Sequence, residues 1–388
     1  MSAASDRPRW TRPSLRVFGR DVHAFRALGG AGFAAGGAAA LGLARLLDAR
    51  LVTVGALFGL AVVSYLALAA LAAVVAGEPV LVFYHHAIAV VLVSTVALVW
   101  SGEAVLVYLD IEAVALSAFL AVGRLGCLTV GCCHGRPYEP RTPLGAVVYG
   151  DAHAEEGFPR HLVGVPLYPV QAVEAIGVAL LVVGSVLWVA LGEPRPGDLL
   201  GCVTVGYAVL RYRLEGLRGD PGRTERRGLS TARLTSVVIA IVIVACAAIG
   251  LVPWHWAYPL AAGLLVVAAA RRAMKAPRPW DLDVLLHPDH VAELAALLAL
   301  ADEHTTAEHI VVAETSAGLR LSTTTSEGPN GPTGGAAVTL SSGRSEPLSE
   351  LAAFAVGRLL TTLRQPEGGA TLHRGSPGMF HVVLVDIV

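Results

Sequence analysis

The stretch Leu106-Val-Tyr-Leu-Asp110-Ile-Glu-Ala-Val-Ala-Leu-Ser-Ala-Phe-Leu120-Ala-Val-Gly123-Arg124-Leu-Gly126-Cys127-Leu-Thr-Val-Gly131-Cys132-Cys133-His134-Gly135-Arg-Pro137 decides the fold. Its first part, 106–125, is apolar and long enough to cross a hydrocarbon core of about 30 Å at 1.5 Å rise per residue. Its second part turns to glycine, cysteine, histidine and arginine, which lipid accepts only where protein encloses them. Similar apolar runs lie at about 28–47, 51–76, 80–100, 168–191, 197–213, 234–251 and 256–270. The first is rich in Ala and Gly. The last two are divided by Pro253-Trp254-His255-Trp256, an aromatic turn suited to a membrane–water interface.

Composition agrees. Of 388 residues, 54% are hydrophobic and 15% charged, with a mean hydropathy of +0.62. A soluble domain carries about a quarter of its residues charged, and disorder needs low hydrophobicity, so both are excluded for the whole chain. A net charge of −1 argues against binding nucleic acid through overall basicity. Five clustered or scattered cysteines do not make a disulfide scaffold. The expected fold is an all-α polytopic membrane bundle of about seven or eight transmembrane helices with a small C-terminal α+β soluble domain. The expected division is a basic N-terminal tail (1–27), a membrane domain (28–271), a linker (272–280) around Pro277–Pro279, and an accessory domain (281–388). Within the last, helices are predicted near 289–303, capped by Asp289, and over 348–364. Strands are predicted at His309–Thr315, Leu319–Thr325, Ala336–Leu340 and Phe380–Ile387, with a loop over Ser326–Gly335.

The informative residues are those that resist burial in lipid. Four glycines around Arg124 suggest a tight, irregular backbone where amides and a guanidinium face an anionic headgroup; a Gly-rich helix exit with a snorkelling arginine is the alternative. At about 100° per residue, Tyr207, Arg211, Glu215 and Arg218 share one stripe, so Glu215 has an arginine one turn to either side. An interfacial ladder anchoring a helix end is the other reading. Tyr168, Gln171 and Glu174 drift along one side of the next helix start. His85 and His86 point to different faces, so at most one enters a given cavity, as a general base or as packing. Cys127, Cys132, Cys133 and His134 lack the paired spacing of structural zinc sites. No metal or cofactor is expected, and packing is favoured over a redox or metal role.

Together these blocks resemble the prolipoprotein diacylglyceryl transferase family. The signature around Gly123-Arg124-Leu-Gly126-Cys127, the Tyr168-Pro169-Val-Gln171-Ala-Val-Glu174 block, the Tyr207-to-Arg218 block and Tyr84-His85-His86 match its motifs, and Asp110 fits the family's aspartate before the signature. The resemblance implies a bacterial inner-membrane, multi-pass enzyme that moves a diacylglyceryl group from phosphatidylglycerol to the lipobox cysteine of a prolipoprotein, releasing glycerol 1-phosphate. It implies His85, Arg124 and Arg211 as catalytic residues, with Arg124 and Arg211 holding the phosphate and His85 taking the thiol proton. Gly123, Gly126, Gln171, Glu174, Tyr207, Glu215 and Arg218 would bind substrate, Glu215 by orienting Arg211. The partners would be these two substrates and the bilayer, with no nucleic acid.

The chain departs from the family at several points. Cys127 and Val130 replace asparagines, Cys132 replaces an acidic residue, His86-Ala87 replaces two glycines, and Phe25 takes the place of a tyrosine. A non-catalytic scaffold on the same fold, or a transferase with another acceptor, is the alternative. The resemblance places the arginines toward the outer face, whereas eight spans would put every basic stretch on one side, which the positive-inside rule assigns to the cytoplasm.

Overall fold

The structure is a computed structural model, which describes residues 11–17, 19–76, 83–138, 145–220, 225–226, 229–274, 280–304, 311–328, 331–364, 370–376 and 378–384. The expected class holds: a helical membrane bundle is followed by an α+β region. The bundle helices are α1 (Ala24–Leu46), α2 (Leu51–Ala76), α3 (Phe83–Ser101), α4 (Val105–Val130), α6 (Val170–Leu191), α7 (Asp198–Glu215), α8 (Thr231–Ala248) and α9 (Ala257–Met274), with a short α5 (Asp151–Glu155) in the α4–α6 connection. Six of these, α1, α2, α4, α6, α8 and α9, are long and apolar enough to cross a membrane. The apolar part of α3, His86–Ser101, is shorter. Helix α7 carries Asp198, Arg211, Arg213 and Glu215, yet it is enclosed by α4, α6, α8 and α9, so three of these four charges are buried in protein. Val52, Val63, Leu66, Leu71 and Val74 of α2 face outward, as a lipid-solvated surface requires.

The Ala/Gly-rich first run has a packing reason. A Cβ on Gly36 would lie 2.9 Å from the Ala115 carbonyl oxygen, and one on Gly32 3.1 Å from the Phe119 carbonyl oxygen, so these two glycines let the backbones of α1 and α4 approach each other closely. Without a hydrophobic driving force between helices, close small-residue contacts supply the packing. At one end of the bundle, Asp110 accepts the backbone N–H groups of Gly197 and Leu200, each at 2.7 Å. It thereby satisfies donors that the start of α7 leaves unpaired, and fixes α7 along its axis. Arg50 and Glu103 pair at 3.1 Å at that same end.

The opposite end carries the polar loops. Before α1, where a basic tail was expected to run to residue 27, strands β1 (Ser14–Val17) and β2 (Arg20–His23) form an antiparallel hairpin. His23 lies 3.6 Å from Glu156 of the 131–168 connection. That connection is a cap whose core joins Val147, Tyr149, Phe158, Leu162, Val165 and Leu167 to Leu128 of α4. A two-residue ladder, β3 (Glu225–Arg226) with β4 (Leu229–Ser230), precedes α8.

After α9 come α10 (Leu282–Leu285), α11 (Pro288–His304), β5 (Val311–Glu314), β6 (Leu319–Gly328), β7 (Gly331–Ser342), α12 (Glu350–Arg364), β8 (Ala370–Arg374) and β9 (Phe380–Leu384). The five strands form an antiparallel sheet in the order β5-β6-β7-β9-β8. Alternate residues Leu319, Leu321, Val338, Leu340, Phe380, Val382 and Leu384 point to one face and pack with Leu294 and Leu298 of α11 and Val356 and Leu360 of α12. Two sequence expectations are corrected. Asp289 sits inside the first turn of α11 and does not cap it. Ser326–Gly335 is strand at both ends, because β6–β7 pairing continues past Ser326↔Gly335 to Gly328↔Gly331, with a register shift between Ser326 and Glu327. The Pro277–Pro279 linker lies outside the described residues. This region docks on the cap: Leu363 packs against the cap core, and Leu286, Pro288 and Val291 face Arg136, Pro137, His161 and Leu162 across a narrow cleft.

With the hairpin before α1 and the sheet after α9 meeting at one end of the bundle, reporters fused to the two termini are expected to report the same compartment. Opposite compartments would contradict this helix arrangement.

Candidate functional site

The polar end is built from helix termini. Helix α4 stays regular through Val130, so Arg124 projects from a continuous helix, and the irregular backbone expected around it begins only at Gly131 (φ 80°). Gly126 is a contact point, since a Cβ there would meet Phe25 and Leu28 of α1 at 3.4 Å, whereas Gly123 faces open space. Beyond Gly131 the chain is stitched to the turn after α7. Arg136 N–H donates to the Leu217 carbonyl at 3.0 Å, Gly219 N–H to the His134 carbonyl at 2.8 Å, and Gly135 bridges Arg218. The approach leaves no room for side chains at two positions: a Cβ on Gly135 would collide with the Tyr168 carbonyl oxygen, and one on Gly219 with Gly135.

Arg124 and Arg211 are each met by a carboxylate in this end. Arg124 Nε lies 3.0 Å from Glu174 Oε2, and the other oxygen of Glu174 accepts the Tyr207 hydroxyl at 2.9 Å. One carboxylate thus ties α4, α6 and α7 together. Arg211 Nη1 lies 2.7 Å from Glu215 Oε2, the one-turn spacing that helical arithmetic predicts. Both guanidiniums sit within electrostatic range of the Tyr207 hydroxyl. Tyr84 stacks near Tyr207, with ring centroids 5.8 Å apart, and its hydroxyl shares a 3.2 Å hydrogen bond with Ser236 of α8. The sequence thus brings Arg124, Glu174, Tyr207 and Arg211 to one place.

Gln171 is fully enclosed. Its amide donates to the Cys132 carbonyl at 2.9 Å, and its Oε1 has no hydrogen-bond partner among the described residues. Arg218 was expected on the Tyr207 stripe. The helix ends at Glu215, and Arg218 lies beyond it, gripping Asp220 through two bonds of 2.7 and 2.8 Å. Its guanidinium is held above the ordinary arginine range by Cys133 and Asp220, against the effect of burial. His85 lies in the first turn of α3, and its side chain is outside the described residues. His86 is buried, with its ring 4.5 Å from that of Tyr65.

His86 lines an apolar cavity of about 70 Å³ among α1–α4, together with Phe33, Tyr65, Glu112 and Phe119. That volume suits a few methylene groups. Glu112 escaped the sequence reading although the signal was present, a carboxylate in mid-span; Ser94 donates to it at 3.1 Å. Tyr149, whose hydroxyl donates to the Leu128 carbonyl at 2.9 Å, and Asp220 had no such signal.

The cysteines also converge. The Sγ atoms of Cys127, Cys132 and Cys133 all lie within 4.8 Å of one another. Hydrogen bonds from Cys127 and Cys132, and the nearby Arg218 and Arg124, hold the Cys133 thiol well below the ordinary thiol range. His134 stays out of this group; its Nδ1 bonds the Gly135 carbonyl at 3.0 Å.

These features define a multi-pass helical membrane protein with paired, buried arginines at one end. Residues 44–249 match the family model described as prolipoprotein diacylglyceryl transferase, and the chain belongs to that family. It is 31% identical over 132 residues, 34% of this chain and 47% of the relative, to a Clostridium perfringens protein named phosphatidylglycerol–prolipoprotein diacylglyceryl transferase 2. It is 29% identical over 138 residues, 36% of this chain and 51% of the relative, to a Clostridium tetani protein named phosphatidylglycerol–prolipoprotein diacylglyceryl transferase. The chain spans about half the length of these curated relatives. Helix α9 and the α+β region lie outside the matched family residues.

Replacing Glu174 by Gln leaves the buried Arg124 charge without its counterion. Breaking a buried pair from one side costs about 3–5 kcal/mol. The expected result is a marked fall in the thermal midpoint of the detergent-solubilised protein, partly recovered in the Arg124→Gln/Glu174→Gln double variant.

Proposed function

We propose that the chain transfers a diacylglyceryl group from phosphatidylglycerol to the cysteine thiol of a lipobox-bearing prolipoprotein, in the bacterial inner membrane. Membership of the family and the names of the two clostridial relatives support this reading. The observation that carries it is the grouping of Arg124 and Arg211 around Tyr207 at one end of the bundle.

The chemistry needs a thiolate to displace a phosphate ester from a glyceryl carbon. Negative charge grows on the departing glycerol 1-phosphate, and guanidiniums held in a low-dielectric site lower that barrier because they need no reorganisation as charge appears. Arg124 and Arg211 fill this role. Glu174 and Glu215 hold them in place as counterions. Tyr207 locks Glu174 in turn. Gln171 Oε1 accepts from a headgroup hydroxyl, and Gly123 leaves space for the lipid next to Arg124. Gly126 contributes by letting α1 approach α4. Arg218 anchors the turn beyond α7 and adds positive potential. The apolar cavity among α1–α4 takes part of an acyl chain. His85 accepts the thiol proton, and His86, committed to the Tyr65 ring, does not.

A transfer assay with phosphatidylglycerol and a lipobox peptide, read by intact mass, tests this. Arg211→Ala is expected to cut the rate by roughly 10²–10³-fold, the size of a lost charge-stabilising donor, while the protein still folds. His85→Gln is expected to cut it by about 10² or more. Near-normal transfer by Arg211→Ala overturns the assignment, and a larger loss in His86→Gln than in His85→Gln exchanges the roles of the two histidines.

A further inference from the structure

The three converging thiols perform no task in the chemistry above, and their geometry is that of a ligand set. Three sulfurs around one zinc ion at the usual Zn–S length of about 2.3 Å stand about 3.8–4.0 Å apart. The Sγ atoms of Cys127, Cys132 and Cys133 already lie within 4.8 Å of one another, so the set closes if each pair draws together by about 1 Å or less. The backbone is bent to achieve this. Gly131 adopts φ 80° and Cys133 φ 53°, a left-handed conformation that a non-glycine residue rarely takes, and the two turns fold the loop thiols back toward Cys127 on the last turns of α4. The set is also graded in exposure, with Cys127 buried, Cys133 half-buried and Cys132 exposed. Arg124 and Arg218 stand beside Cys133.

We propose that Cys127, Cys132 and Cys133 form a three-thiolate site for Zn²⁺ whose open fourth position, on the solvent side beside Cys132, receives the sulfur of the acceptor cysteine. Catalytic zinc sites keep three protein ligands and one open position, and a coordinated thiol is deprotonated outright. This part rests on the transferase reading. The acceptor thiol gives its proton to His85 as its sulfur takes the fourth position. The thiolate then attacks the glyceryl carbon of phosphatidylglycerol: one S–C bond forms, one C–O bond breaks, and the electron pair departs on glycerol 1-phosphate beside Arg124. Zinc stays divalent, and nothing is oxidised or reduced. The departures from the family pattern acquire a reason: Cys127 and Cys132, which replace hydrogen-bonding residues, supply two of the three ligands.

The experiment uses the full-length protein in detergent, reduced without added thiol and titrated with Co²⁺ as a spectroscopic substitute. Stoichiometric binding with intense thiolate-to-cobalt bands is expected, and the bands are expected to shift when a short cysteine-containing peptide is added. They are expected to vanish in Cys133→Ser and in Cys132→Ser, the latter at an exposed position where folding is least at risk, and to persist in Cys202→Ser/Cys246→Ser. Absence of the bands, or bands that survive Cys133→Ser, overturns the site. Bands that ignore the peptide overturn the open fourth position. The readout is spectral and independent of turnover. A chain that binds cobalt and peptide but transfers no lipid would therefore contradict the transferase reading while leaving the metal site in place.

Discussion

The contact on which the polar end depends is the buried Arg124–Glu174 pair. A guanidinium within a membrane helix costs about 2.5–3.5 kcal/mol to insert, and it persists where a counterion and hydrogen bonds meet it. Glu174 answers Arg124 with one oxygen and Tyr207 with the other, so three helices are held in register by a single carboxylate. At the far end Asp110 fixes the start of α7 by accepting two of its backbone donors. Those two carboxylates set where Arg211 stands, even though neither touches it. The site is thus a property of helix placement, with the loops added afterwards.

The loops explain the density of glycines in the signature. Gly135 and Gly219 are pressed against backbone, which brings the cap and the turn after α7 close enough to exchange hydrogen bonds. Arg218, Cys133 and Arg124 come together as a result. The C-terminal sheet region rests on the same cap through Leu363 and α11.

Much of this was legible in the sequence, for identifiable reasons. Hydropathy located the eight bundle helices to within a few residues, because lipid imposes length and composition together. The Arg211–Glu215 pair followed from one-turn spacing. The Arg124–Glu174 pair did not, because it joins helices 50 residues apart and periodicity carries no information between helices. Arg218 was placed on the Tyr207 stripe only by extending α7 past Glu215, where the helix stops. The thiol cluster was hidden for a different reason: adjacent cysteines on a regular backbone point apart, and only the left-handed turns at Gly131 and Cys133 bring them back. The β-hairpin before α1 and strand β8 had too short a pattern to register.

On the proposed transferase reading, Arg124 and Arg211 together hold the phosphate of an anionic phosphoglycerolipid. The most direct measurement is native mass spectrometry of the protein in detergent with equimolar phosphatidylglycerol and phosphatidylcholine, comparing wild type with Arg124→Gln and Arg211→Gln. Preferential retention of phosphatidylglycerol by the wild type, lost in both variants, is the predicted result. Equal retention of phosphatidylglycerol in all three proteins would overturn that role for the two arginines.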